Sequence, residues 1–246
     1  MERKSWLRLR VEDAFRQGLT RVYDKLKVDP QHYLLKLRKA HGLAIAGFDD
    51  VYSVPLAQLD DIAGHTLRAG MKLAIVEGAG LGIGGMLTVV PDMSFLAVIT
   101  MRTIQQLSLL YGFEYNTEEE IAELWLAAAS AAGLDITRDV LEKEALSKLV
   151  PRVIQAIAVQ GGKEAAEKWA GRIVPVLSSA IGAGLNYMFL RVWSKRALKH
   201  FREKHIAIRT RDGGWRNLRA GEFTIPVGSR LISERARCPR VARPGE

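Results

Sequence analysis

The sequence predicts an all-α protein, a multi-helix bundle with two Gly/Ala-rich apolar central elements and a small β-hairpin-like appendage near the C-terminus. Three observations lead to that class. Apolar residues recur at spacings of three and four through most of residues 1–204, which is how a helix with one buried face is written. Two uncharged runs, Gly78 to Pro91 and Ile173 to Leu190, carry glycine and alanine, and nothing around the first of them alternates strand with helix. After Lys204 the texture changes to short apolar runs around Asp212-Gly213-Gly214, a hairpin pattern.

In the first segment Leu7, Val11, Phe15, Leu19, Val22 and Leu26 form one stripe opposite a basic face, and Asp29-Pro30 ends the helix. Such a helix either lies on an anionic membrane, with Trp6, Arg8 and Arg10 as its contacts, or packs on the core. His41 to Pro55 reads as a loop and Leu56 to Ala69 as a helix. Gly70 to Tyr111 reads as an apolar helical hairpin turned at Pro91-Asp92. Thr117 followed by Glu118, Glu119 and Glu120 is a capping box that opens the next helix, which runs to Gly133. Leu134 to Val150 and Pro151 to Gln160 read as two further helices, with Gly161-Gly162 a break.

The last long element, Lys163 to Lys204, holds IVPVLSSAIGAGLNYMFL, 18 uncharged residues from Ile173 to Leu190. A bilayer needs about 20. Pro175, two serines and Asn186 favour a helix buried in the bundle, and Lys195, Arg196 and Lys199 beyond it form a basic face suited to a membrane surface. Ile206 to Arg211 and Trp215 to Leu218 flank the glycine turn, and Glu222 to Val227 follows. The domain reading is therefore 1–55 for a basic amphipathic helix and loop, 56–205 for the helical domain, 206–232 for the β-like appendage and 233–246 for a basic disordered tail.

Composition narrows the function. A hydrophobic share of 48% in 246 residues is that of a globular chain able to bury a core. The single cysteine, Cys238, excludes an internal disulfide and suits a reducing compartment. No apolar segment of a secretory signal follows the charged start, so the expected location is cytoplasmic. The charge alternates by region. Residues 1–40 hold 11 Lys/Arg against 5 Asp/Glu, 113–150 hold 3 against 9, 151–205 hold 10 against 3 and 206–246 hold 9 against 4. Basic ends around an acidic middle make a surface attractive to anions, or else a dispersed, solvated one.

Gly80-Leu-Gly82-Ile-Gly84-Gly85 fits G-x-G-x-x-G, but the pattern lacks its context. A dinucleotide site needs an acidic residue about 20 positions on, after a second strand. Here Asp92 comes too early and Glu114 too late, and Glu77 stands against the glycines where it would oppose a phosphate. The other use of glycine is close approach. Gly78 and Gly82, Gly80 and Gly84, and Ala180 and Gly184 are each four apart and share a helix face.

AIVEGAGLGIGGMLTVVPDMSFLAVITMRTIQQLSLLYGF, with the acidic helix start behind it, resembles the EcsC family, as does VPVLSSAIGAGLNYMFLRVWSKRALKHF with Pro175, Gly182-Ala-Gly184 and Asn186. The resemblance covers about residues 60–204. It implies a helical domain; the family is named for its association with an ABC transporter locus in bacteria, and the resemblance implies no particular activity.

Polar residues set in apolar surroundings are the candidate site: Glu77, Gly78, Gly82, Asp92, Arg102, Gly184, Asn186 and Arg191. Their charges either pair, as Glu77–Arg102 or Asp92–Arg191, or floor an apolar pocket for a lipid head group or carboxylate. Catalysis has little support. The histidines are scattered, and no zinc motif or G-x-S-x-G elbow is present, so no metal, cofactor or catalytic residue is expected. Nucleic-acid binding would rest on Trp215 with Arg209, Arg211, Arg216 and Arg219, without a recognised module. The function expected is non-catalytic: association with the cytoplasmic face of the cell membrane and binding of a phospholipid or fatty-acid-like ligand. The alternatives are a soluble accessory protein that contacts a membrane transport protein, and an enzyme on lipid substrates using Asp92 or a histidine.

Overall fold

The computed structural model describes residues 2–25, 27–81, 89–134, 145–169 and 178–219. Among them are seven α-helices, α1 Glu2–Asp24, α2 Pro30–His41, α3 Leu56–Leu81, α4 Val89–Leu110, α5 Glu118–Ala131, α6 Leu146–Trp169 and α7 Ser178–Arg219. A 3₁₀ turn at Asp49–Ser53 lies between α2 and α3, and no strand occurs among the described residues. Residues 1–209 form one compact unit, which includes the segment 1–55; residues 210–246 form another, described only for 210–219, the last turns of α7.

The helices are where periodicity places them, with local chemistry at their ends. Val11, Phe15, Leu19 and Val22 on α1 are buried, and this stripe packs against α4 and α6, so the apolar face of α1 serves the core. Asp29 caps α2 by accepting from the amides of Gln31 and His32, Pro30 occupies the first position, and Gly42 ends the helix in the left-handed conformation, φ 66°. The Asp50 carboxylate accepts from the amides of Ala46 (2.6 Å) and Gly47 (3.2 Å) and fixes the loop before α3. Thr117 and Glu120 form the capping box on α5 that the sequence announces.

Three local expectations are corrected. Pro91-Asp92 is not a turn: α4 already begins at Val89, and Pro91 sits in its first turn, where a missing N–H costs nothing. Gly161-Gly162 is not a break and Pro151 not a boundary, because α6 runs through both. Its buried positions Leu149, Val150, Val153, Ile154, Ile157 and Ala158 make one stripe across the proline. The β-like appendage fails over 206–219, which continue α7 as helix. Alternation in IAIRTR was outweighed by anchors four apart. Phe201 packs on Phe113, His205 bonds the Tyr111 carbonyl and Arg209 bonds the Val54 carbonyl. Residues 220–232 of the expected appendage and the tail 233–246 lie outside the described residues.

Contacts along the helices set their directions. Asp60 meets Arg202 and Gly70 meets Leu190, so α3 and α7 run antiparallel. Asp60 also meets Tyr111 and Gly70 meets Thr103, so α3 and α4 are antiparallel. Gly18 lies on Ser94 and Ala97, while Gln105 accepts from the Val28 amide, which makes α1 parallel to α4. One end of the compact unit thus gathers the start of α1, the last turns of α3, the first of α4, the last of α6 and the start of α7. We call it the glycine end, since Gly78 and Gly80 on α3 and Gly182 and Gly184 on α7 stand there. At the opposite end, here the histidine end, stand α2, the start of α3, residues 111–117, the start of α5 and residues 200–209.

Small residues make the crossings close. A Cβ on Gly18 would stand 2.9 Å from Ala97 Cβ, one on Gly70 2.9 Å from Thr103 Oγ1, and one on Gly162 3.2 Å from the Arg8 carbonyl. Between these crossings Phe15, Phe189 and Trp193 pack ring on ring, with centroids 4.4 to 6.0 Å apart.

Candidate functional site

The glycine end exposes apolar side chains. The last turns of α3 read Leu73-Ala-Ile-Val76, and neighbours on a helix are about 100° apart, so four apolar residues in a row cannot all face the core. Ala74 is the one turned inward, 1% exposed, while Leu73, Ile75 and Val76 are 47%, 39% and 67% exposed. Met188 on α7 is 50% and Leu9 on α1 60% exposed. Of the six large exposed hydrophobics among the described side chains, these five belong to this end, and only Leu35, on α2, does not. Exposed Arg8, Arg10, Lys72, Lys163 and Arg191 stand on the same stretches, against an exposed Glu167.

Most of the predicted ligand-binding residues are carried to this end. Glu77 and Gly78 lie in the final turns of α3, Asp92 in the first turn of α4, and Gly184 and Asn186 early in α7. Gly82 and the side chains of Glu77 and Asp92 lie outside the described ones. Asn186 is buried, 2% exposed. Arg102 and Arg191 are exposed, so neither supplies a buried pair; Arg191 lies over the Tyr187 ring at 5.8 Å. Of the predicted membrane contacts, Arg8 pairs with Glu12 at 2.6 Å and Lys199 with Glu203 at 3.8 Å, and both cations remain exposed. Arg196 donates to the Ala131 carbonyl at 3.3 Å, a cation placed at the C-terminus of α5. Lys195 is exposed, and the side chain of Trp6 lies outside the described ones.

The void beside Phe15, Thr100, Met101 and Trp193 measures about 10 Å³, near the volume one water centre needs. The stretch Met93–Leu110 is apolar enough to cross a bilayer, yet 78% of it is buried inside the bundle.

The histidine end holds a polar cluster that sequence reasoning missed. Arg202 Nε donates to both carboxylate oxygens of Asp60, at 2.9 and 3.1 Å, and the Tyr111 hydroxyl donates to the same carboxylate at 2.8 Å. His205, fully buried, lies flat on Tyr52 at 4.8 Å and donates from Nδ1 to the Tyr111 carbonyl at 2.9 Å, since a carbonyl only accepts. Its Nε2 is then a buried acceptor without a partner among the described atoms. Burial raises the Asp60 carboxyl, but the hydrogen bonds from Arg202 and Tyr111 outweigh it and hold the group below its ordinary 3.8. Burial pushes His205 below its ordinary 6.5, aided by Arg209 and opposed by the Tyr111 carbonyl and Asp60. No signal in the chain links Asp60 to Arg202, 142 positions apart. By contrast, LAIV in a helix already implies exposed apolar side chains.

Fold and surface define an all-α bundle with one apolar, basic end and no cluster of metal-binding side chains among the described residues. The EcsC protein family model matches residues 10–206, and the chain belongs to that family. The match takes in α2 and α1 from residue 10 onward, which the sequence resemblance left out. The chain is 23% identical over 176 residues to the uncharacterized protein YdbA of Bacillus subtilis (strain 168), covering 67% of this chain and 64% of that one. It is 31% identical over 71 residues to the protein EcsC of the same organism, covering 29% and 30%. The chain thus spans less than two thirds of the length of either relative. No solved structure matches it.

Proposed function

We propose that this protein is a non-catalytic, membrane-associated helical protein that meets the cytoplasmic face of a membrane with its glycine end and takes up a lipid or other apolar ligand there. One observation carries the reading: five of the six large hydrophobics exposed among the described residues gather at that end, beside exposed cations. Each Val- or Leu-sized side chain moved from water into lipid gains roughly 1.5–3 kcal/mol, and each Lys or Arg near an anionic surface about 1 kcal/mol. A few of each suffice for peripheral binding.

The test is sedimentation with vesicles of phosphatidylcholine alone and of phosphatidylcholine with phosphatidylglycerol, at low and high salt. The reading predicts binding to the anionic vesicles that weakens with salt without vanishing, because the apolar part is not screened. Protein left in the supernatant under every condition contradicts it.

A further inference from the structure

The histidine end carries a cleft of about 230 Å³ between residues 108–114, the start of α5 and the last described turns of α7 within the compact unit. Its walls are of two kinds. Tyr52, Phe113 and Phe201 bring aromatic rings, with Phe113 edge-on to Tyr52 at 6.5 Å and 5.8 Å from Phe201. Glu114, Glu120 and Glu123 bring carboxylates. The rim is held in shape. Ser108 Oγ donates to the Phe113 carbonyl at 2.7 Å, Glu120 accepts from the amides of Asn116 and Thr117, and Gly112 needs its φ of 85° to pass beneath the Tyr52 ring.

The cleft already shows which group it suits. Lys204 Nζ lies 4.7 Å over the Phe113 ring and pairs with Glu123, so an internal ammonium has an aromatic face on one side and a carboxylate on the other. That is how a cation is recognised where water is partly excluded. Two further carboxylates line the same space, and Glu118 and Glu119 stand exposed on the adjoining turn. The chain as a whole carries +9, which makes this acidic corner the exception.

We propose that the cleft is a docking site for the arginine or lysine side chain of a basic segment in a partner polypeptide. Size separates that occupant from a cofactor or metabolite. Small-molecule pockets run from about 300 Å³ upward, whereas this cleft measures about 230 Å³, nearer the room one long side chain takes. The exposed glutamates beside it extend the charge complementarity to the neighbouring residues of a basic segment, which a lone cation would not use. The inference is independent of membrane binding at the other end.

The probes are the peptide acetyl-Gly-Arg-Gly-Arg-Gly-amide, its counterpart with both arginines replaced by glutamine, and tetramethylammonium chloride. The readout is methyl NMR of Leu124 and Ile208, which line the cleft, with Leu59 in the core as reference. The arginine peptide should shift the cleft methyls saturably while Leu59 stays still, and the glutamine peptide should not. Glu114→Gln, at a half-buried position outside the core, should weaken binding about 3- to 10-fold, as the loss of one charge-assisted contact implies. Lys204→Met, which removes the internal cation from the Phe113 face and from Glu123, should tighten it by a similar factor. The proposal is overturned if the arginine peptide leaves the methyls unmoved, if the glutamine peptide binds as well, or if Lys204→Met binds no tighter. It is equally overturned if tetramethylammonium binds as tightly as the peptide, since the occupant would then be a free organic cation.

Discussion

The two ends of the compact unit are made by the same long helices and treat their side chains in opposite ways. At the histidine end polar groups are drawn in and, His205 Nε2 apart, matched: a carboxylate accepts three hydrogen bonds, a buried histidine donates to a carbonyl, and Arg209 reaches the Val54 carbonyl at 3.0 Å. At the glycine end apolar groups are left out in water, Val76 by 67%. A helix bundle need not expose Leu73, Ile75 and Val76, because α3 is long enough to carry polar residues there. The difference teaches that the histidine end ties its helices together through polar contacts, whereas the glycine end leaves apolar surface uncovered, which is what the proposed membrane contact would use.

That comparison can be broken in graded steps. The largest effect belongs to the shared core between the ends. Trp193→Ala empties a site that is 2% exposed and should cost about 3–5 kcal/mol in urea unfolding. Gly18→Val drives a branched side chain into the backbone of Ser94 and should cost about 1–3 kcal/mol. Gly18→Ala should cost less, since alanine recovers about 1 kcal/mol of helix propensity.

At the histidine end Arg202→Met should cost about 1 kcal/mol, as both partners are about a third exposed and water screens the pair. Acid sharpens this point. The folded Asp60 carboxyl titrates below 3.8, so its contribution is full above that value and is lost as the pH falls through the folded one. His205 also titrates low when folded. Its contribution is full above 6.5 and declines as the pH falls below that, because the unfolded chain takes the proton first. Urea midpoints should therefore fall between pH 7 and 5, and His205→Gln should flatten that stretch of the curve. The smallest effect on stability is expected at the glycine end. Leu73→Ser with Val76→Ser should change it by no more than about 0.5 kcal/mol, the usual range for exposed sites.

Which parts were legible in the sequence follows from how far each interaction reaches. The α1 stripe, the Asp29-Pro30 start of α2 and the Thr117–Glu120 capping box are local, and each was readable in a few residues. The close approaches at Gly18, Gly70 and Gly162 were not readable, because each depends on the helix opposite; the close approach expected of Gly78 to Gly85 lies outside the described side chains. Residues 206–211 look alternating by themselves and became helix through partners at residues 54, 111 and 113. Most residues expected to bind a ligand share one end of the bundle, because α3 ends and α4 and α7 begin there. The Asp60–Arg202–His205 cluster joins segments too distant for any pattern to connect.

The central claim is that the exposed apolar side chains of the glycine end are there to enter a membrane. The most direct measurement is sedimentation with phosphatidylglycerol-containing vesicles of the wild type and of the Leu73→Ser, Val76→Ser variant, with equal unfolding midpoints confirmed beforehand. The account predicts that the variant partitions at least 10-fold more weakly, since two side chains each lose roughly 1.5 kcal/mol or more of transfer free energy. Equal partitioning of wild type and variant would contradict it.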